Sequence, residues 1–342
     1  MVLLPSGSFE AHEWDKVISH SDISTHRDQL WKCILDGIGR KEGKGLLTHL
    51  AVNSGIPLHK DSDAGEDESG ENILRTPSGL VMLHGDFGPA LSPDEKPSDE
   101  DFEKAFWVST KQNGITQAWA PRYTMFSRGN VKEKARLLDF HSSTSLKLRR
   151  MGKSDVVKST AIDLYAGIGY FVFCYVKMGM ARVIGWELNP WSVEGLRRGA
   201  ISNGWSIKVL NAGENLEIGS EKIIIVLEDN REAMRRLGRI ASEELGIVRH
   251  VNCGLLPTSE MSWEMALGLL SGVGWLHLHE NVGVQEIPAR RIAIEEQFWG
   301  WLDKLGDSRY LTVEHVELVK TFAPGVWHCV FDVYVDGNNS TT

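Results

Sequence analysis

The sequence predicts an α/β protein, an open and mostly parallel sheet flanked by helices and preceded by a smaller mixed α/β region. Three observations predict it. Residues 161–203 read as strand, glycine turn, helix, second strand with a carboxylate at its tip, and a further helix. Short apolar runs at 221–227, with Ile-Ile-Ile-Val, and at 247–256 continue the alternation as buried parallel strands do. Residues 311–321 and 326–335 alternate on either side of Phe322-Ala323-Pro324-Gly325, which is a hairpin pattern, so the sheet closes with an antiparallel strand.

A chain of 342 residues with 42% hydrophobic content buries a substantial core, and one large domain with a smaller companion follows. The boundary is placed near 130, with an N-terminal α/β domain over 1–130 and the main domain over 131–342. No run approaches the ~18 apolar residues of a membrane span, and the N-terminus lacks the basic n-region of a secretory signal. The expectation is a cytoplasmic protein without a membrane partner. Cys33, Cys174, Cys253 and Cys329 form no C-x-x-C pair, so buried thiols are expected, and neither disulfides nor a metal.

The formal net charge of -9 is unevenly spread. Residues 61–71 carry six acids and no base, and residues 94–103 carry six acids and one lysine. Both tracts have the composition of solvated loops and are expected to be mobile insertions. Residues 128–153 hold eight Lys or Arg against Glu133 and Asp139, which suits either RNA or a solvated linker helix.

In chain order, Leu30, Trp31 and Ile34 share one face of a helix over 26–35, which Gly37 and Gly39 are expected to close. Strands are expected at 79–83, 105–109 and 115–119, the last two joined through Asn113-Gly114, a strong hairpin signal. No internal repeat is present. Ser127 or Asn130 could cap a helix starting near Val131. The same loop could instead lie over the glycine turn, where Ser127 and Asn130 would hydrogen-bond a ligand and Lys134 would meet its carboxylate.

In the central unit, Asp163 closes the first strand, and Gly167-Ile168-Gly169 lets backbone approach a ligand at a helix N-terminus. Glu187 falls 24 positions after Asp163, the separation at which a Rossmann-like unit offers an acid to ribose hydroxyls. The next strand ends in Glu228-Asp229-Asn230-Arg231, placing Asp229 for an exocyclic amine and the Asn230 backbone for a ring nitrogen; either residue could equally cap a helix. A basic helix is expected over 232–245, then a strand over 247–256 beside the first strand, a helix over 261–270, a strand over 274–279 and a helix over 287–305. An antiparallel strand appended to a parallel sheet is the layout of class I methyltransferase-like folds. The third glycine of a dinucleotide fingerprint is replaced by Val172, which turns the expected ligand from a dinucleotide toward S-adenosylmethionine. The strand over 247–256 ends in Leu-Leu-Pro rather than Asn or Asp with Pro-Pro and an aromatic, which argues against methylation of an exocyclic amine.

Taken together, MFSRGNVKEK, DLYAGIGYF, WELNPW, EDNR and NCGLLPTSE resemble, in order and interval, the wybutosine-synthesising tRNA aminocarboxypropyltransferases. The resemblance runs from about Gly114 to the C-terminus. It implies transfer of the 3-amino-3-carboxypropyl group of S-adenosylmethionine to carbon 7 of 4-demethylwyosine, next to the anticodon of phenylalanine tRNA. It also implies Ser127, Asn130 and Lys134 near the methionine arm, Asp163, Tyr165, Gly167 and Gly169 at the cofactor turn, Glu187 at the ribose, and Asp229 and Asn230 at the adenine. Tyr165 stands where the family more often has phenylalanine, and Glu228 where it often has glycine. No general base is assigned; His250 and Glu260 are near enough to the Leu-Leu-Pro turn to be considered, and a structural role is the expectation for each. Two alternatives stay open. One is a tRNA guanosine-N1 methyltransferase of the same superfamily; the other is a non-catalytic RNA- or protein-binding module, against which the intact Asp163, Gly167, Gly169, Glu187 and Asp229 argue.

Overall fold

A computed structural model of the chain describes residues 1–18, 24–43, 45–53, 72, 74–77, 79–92, 95–142 and 149–337. It divides into two compact units, one of Met1–Ser109 with Trp119–Phe126, the other of Thr110–Ala118 with Ser127–Thr342. The first unit holds β1 (Val2–Leu4), α1 (His12–Ile18), α2 (Ser24–Lys41), β2 (Leu50–Val52), β3 (Val81–His84) and α3 (Asp99–Lys104). β2 pairs parallel with β1 and antiparallel with β3. Trp31 and Leu35 of α2 are buried in one cluster with Val2 and Leu50, and Ile38 packs on the same cluster. The apolar stripe therefore continues past Gly37, which is why α2 runs on to Lys41 instead of closing at its glycines.

The acidic tract at 61–71 lies outside the described residues. The second tract corrects the expectation of a loop, since Asp99–Lys104 is helical. Ser98 Oγ accepts from Asp101 N at 3.3 Å and Ser98 N donates to Asp101 Oδ2 at 2.9 Å, a capping box. Asp99, Glu100 and Asp101 then sit in the first turn, where the helix dipole favours anions. Composition argued for a solvated loop, and local capping chemistry prevailed. Because Ala105 is still the C-cap of α3, the strand expected at 105–109 begins only at Val108.

A hairpin of β4 (Val108–Gln112) and β5 (Ile115–Trp119) turns through Asn113 and Gly114, with φ of 51° and 69°. Two successive left-handed residues make the turn whose twist matches the strands, as the Asn-Gly pair predicts.

The second unit continues with α4 (Val131–Leu138), α5 (Lys153–Val156), β6 (Ser159–Asp163), α6 (Val172–Met178), β7 (Arg182–Glu187), α7 (Pro190–Ser202), β8 (Ile207–Asn211), β9 (Ile223–Leu227), α8 (Ala233–Leu237) and α9 (Ser242–Leu245). It ends with β10 (Ile247–Cys253), α10 (Trp263–Leu269), β11 (Gly274–Gly283), α11 (Ile287–Leu305), β12 (Tyr310–Ala323) and β13 (Val326–Asp336). Eight strands form one sheet in the order β12-β13-β11-β10-β6-β7-β9-β8. The six strands from β11 to β8 run parallel, and β13 pairs antiparallel with both β11 and β12. Chain order reverses at β6, which lies between β7 and β10, and such a switch point opens a crevice at the strands' C-terminal ends.

Two differences from expectation have local causes. β8, an edge strand at 207–211, has only Leu210 fully buried and so shows no apolar run. The single helix expected over 232–245 is broken after Leu237, where Gly238 caps α8 and a turn precedes α9.

A chain of buried and half-buried polar side chains crosses the strands. His141 Nε2 lies 2.8 Å from His250 Nε2, His250 Nδ1 lies 2.9 Å from His277 Nε2, and His277 Nδ1 lies 2.7 Å from Asp332 Oδ1. Arg136 binds Asp332 at 2.5 Å and Glu133 at 2.6 Å. Of the eight basic residues at 128–153, Lys134 is thus buried and Arg136 is half-buried and engaged by two carboxylates. Among the described residues no helix is long and apolar enough to cross a membrane. Cys174, Cys253 and Cys329 are buried as expected, whereas Cys33 is exposed on the polar side of α2.

Candidate cofactor site

The site grows from the end of β6. Asp163 is fully buried, and its Oδ1 accepts from Asn252 Nδ2 at 3.0 Å and Tyr165 N at 3.2 Å. Its Oδ2 is buried and accepts no hydrogen bond among the described residues. Burial pushes the carboxyl up to about 6, against the pull of these two donors. Asn252 stands at the register position of Asp163 on β10, so the two strands that flank the switch point are tied at the site itself.

The glycine turn follows, with φ of 53° at Gly167 and 88° at Gly169. A Cβ at Gly169 would also fall 2.7 Å from the Phe173 ring, so this position admits only glycine. Gly167 N donates to Glu187 Oε2 at 2.8 Å, and Asn189 N donates to Glu187 Oε1 at 2.8 Å. The acid at the tip of β7 therefore faces the turn as its spacing predicts. Burial raises its affinity for a proton, and the backbone donors oppose the shift.

Beyond β7, Asn230 Nδ2 donates to Leu164 O at 2.8 Å and draws the end of β9 toward β6. Asp229 accepts from Arg231 N at 2.9 Å and caps a short 3₁₀ turn, the capping alternative of the sequence. Its second oxygen pairs with the Arg231 guanidinium at 2.6 Å, which together with the cap holds the carboxyl below its usual range. Tyr165 is half-buried against the core beneath α8 and α10, and burial raises its phenol.

Before α4, Ser127 N donates to Tyr170 OH at 2.8 Å, and Lys320 Nζ donates to Ser127 Oγ at 3.3 Å. Ser127 is thereby joined to the residue that directly follows Gly169. Asn130 precedes α4, but neither its side chain nor that of Ser127 makes a capping hydrogen bond. Lys134, expected to meet a ligand carboxylate, is held by the hairpin. Its ammonium donates to Gln112 Oε1 at 2.7 Å and Gln117 Oε1 at 2.9 Å and lies 5.6 Å from the centre of the Tyr170 ring, with the residue 2% exposed. Its partners come from the hairpin, whose return against α4 no local spacing announces. Burial lowers its proton affinity.

His250 is buried within the histidine chain, and Glu260 is bound by Arg290 at 2.7 Å and Gln297 at 3.0 Å. Each has the structural partners expected for it. Sequence reasoning missed Asn252, Tyr170 and Lys320. The first two stood inside quoted motifs, whereas Lys320 belongs to the C-terminal hairpin and carries no local signal.

Buried acids, two left-handed glycines and an amide-tied strand end suit a nucleoside bearing a cationic arm. The orphan Asp163 oxygen is a fitting partner for an ammonium, and Glu187 for a ribose diol. With its parallel sheet, reversed strand order and terminal antiparallel strand, the second unit is a class I methyltransferase-like Rossmann fold. No protein-family model matches the chain. Over 337 residues it is 40% identical to tRNA wybutosine-synthesizing protein 2 of Schizosaccharomyces pombe, an alignment spanning 97% of this chain and 70% of that protein. The chain belongs to the tRNA wybutosine-synthesizing protein 2 family. Among solved structures it is similar to M. jannaschii TYW2 in complex with AdoMet, with a TM-score of 0.53 and 21% identity over 76% of this chain and 91% of that one. It is also similar to P. horikoshii TYW2 in complex with MeSAdo, with a TM-score of 0.56 and 16% identity over 93% and 86% of the two chains.

Proposed function

We propose that this chain is an S-adenosylmethionine-dependent tRNA transferase of wybutosine synthesis, which moves the 3-amino-3-carboxypropyl group to carbon 7 of 4-demethylwyosine beside the anticodon of phenylalanine tRNA. Family membership carries the reading, at 40% identity over nearly the whole chain. We place the reaction in the cytoplasm.

S-adenosylmethionine supplies a sulfonium, each of whose carbons is electrophilic, so orientation selects the transferred group. Carbon 7 attacks the methylene carbon of the arm; the bond from that carbon to sulfur breaks with its electron pair going to sulfur, releasing methylthioadenosine. The proton of carbon 7 then leaves to water. Glu187 accepts from the ribose hydroxyls, Asp229 and Asn230 meet the adenine, and Gly167 and Gly169 allow close backbone approach. Asp163 and Tyr165 line the same end of the sheet. Ser127, Asn130 and Lys134 border the arm, with Lys134 as the partner of its carboxylate.

Positioning supplies the catalysis in this account, and no protein base is invoked. The test is label transfer. Cofactor labelled in its methionine carbons should label precursor phenylalanine tRNA carrying the tricyclic base; equal labelling of tRNA with an unmodified guanosine there would contradict the substrate assignment.

A further inference from the structure

The acids and glycines expected at the cofactor sit at the ends of β6, β7 and β9. That leaves the ends of β10 and β11 for the base, which must approach the sulfonium across the switch point. The Leu-Leu-Pro turn after β10 is fastened to β11. Asn281 N donates to Pro257 O at 2.7 Å, and Thr258 Oγ1 donates to Glu280 Oε1 at 3.2 Å. Arg290 Nε in turn donates to Glu280 Oε2 at 2.8 Å. Gly254 opens the turn beside Phe171, whose ring a Cβ there would meet at 3.8 Å. Leu255 and Leu256 are half-buried, and their side chains offer no hydrogen-bonding group. A reacting ring carbon asks for none, since it neither donates nor accepts. The base must therefore be recognised along its polar edge, by other residues.

Such residues stand beside the turn. Asn281 lies opposite His328 in the antiparallel pair of β11 and β13, and His279 is two residues back on the same face. Among the described residues, His279 Nε2, His328 Nδ1 and both amide atoms of Asn281 are buried without a hydrogen-bond partner. Buried polar atoms in native proteins are nearly all paired, so a group of orphans at one corner calls for a ligand that pairs them. His279 Nδ1 lies 2.9 Å from His328 Nε2, and burial holds both rings neutral. One proton then lies between the rings, so of their two outer nitrogens one donates and the other accepts. With the Asn281 amide, the corner offers donors and acceptors in equal number. It also adjoins the glycine turn, since the His279 ring lies 4.9 Å from that of Phe171. Asn281 is half-buried and stands nearer than His279 to the open end of β11.

We infer that Asn281, backed by His279 and His328, receives the polar edge of the target base and so fixes its orientation before carbon 7 attacks. A guanine-derived tricycle keeps a ring carbonyl and a ring N–H, which an amide answers with one donor and one acceptor, as it does at an adenine edge. In this arrangement the Leu-Leu-Pro turn borders the reacting carbon. The assignment rests on the proposed reaction and names the residues that orient its substrate.

The test separates the base from the rest of the tRNA. In binding titrations with the full chain, Asn281→Leu should weaken precursor phenylalanine tRNA by about 10- to 100-fold. The same tRNA with an abasic nucleotide in place of the tricyclic base should bind within about twofold of wild type, as should S-adenosylmethionine. Because the leucine replaces orphaned polar atoms, the variant should melt no lower than wild type, which a purely structural amide would not show. Asn281→Ala removes the same amide and serves if the leucine variant does not fold. Unchanged affinity for precursor tRNA, or an equal loss for the abasic tRNA, would overturn the assignment. Wild-type protein that neither binds S-adenosylmethionine nor labels precursor tRNA would instead overturn the reaction on which it rests.

Discussion

Asp163 is the residue whose ionisation carries most information. Its carboxyl is pushed up to about 6 by burial, so the folded state holds the proton more tightly than the unfolded chain does. The stability this gives is fully present below the ordinary value of 3.8 and is lost as pH rises through about 6. Asp163→Asn should remove that slope and stabilise the protein at pH 7 by on the order of 2–3 kcal/mol, as thermal melts across pH would register. The same substitution should weaken S-adenosylmethionine, because the orphan oxygen becomes an amide donor facing a cationic arm; unchanged affinity would remove Asp163 from the ligand's contacts. Lys134→Met should behave differently. It deprives Gln112 and Gln117 of their donor and should cost about 1–3 kcal/mol in chemical denaturation. At this scale the sequence was legible where chemistry is local. Asp163, Gly167, Gly169 and Glu187 stand where their spacing predicts, whereas Lys134 and Lys320 depend on partners that arrive from a hairpin and a terminal strand.

The elements show the same division. Helix and strand periodicity located every strand of the main sheet except β8, whose edge position leaves it without an apolar run. The Asn-Gly hairpin and α11 over 287–305 fell where predicted. Composition misled at 94–103, where a capping box outweighed acidity, and periodicity misled at 232–245, where Gly238 ends the helix. The glycine turn itself should be intolerant. Gly169→Ala combines a positive φ with contact at 2.7 Å to Phe173 and should destabilise by about 2–4 kcal/mol in denaturant titration. The histidine chain is equally demanding, but its signal was invisible: His250, His277 and Asp332 sit on three strands and converge only through sheet register. Asp332→Asn removes one of the two carboxylates on the Arg136 guanidinium and the charged partner of His277, and should cost about 3 kcal/mol.

For the whole molecule, burial of neutral histidines makes stability sensitive to acid. His328 is lowered from 6.5 to about 4 by burial and by the Lys320 charge, and burial also holds His279 well below its usual range, so the folded state favours their neutral forms. That contribution is present above pH 6.5 and is lost as pH falls through about 4. Replacing both with glutamine should flatten the acid limb of the stability profile. The wider account joins a sheet whose order reverses at β6, a turn that only glycine can form, and lysines brought to it from outside the central unit. Its central claim is that the arm, and not the methyl, is transferred. The most direct measurement is the nucleoside released during turnover with precursor tRNA, separated by chromatography. Methylthioadenosine in equal amount to modified tRNA is the predicted result, and S-adenosylhomocysteine in its place would contradict it.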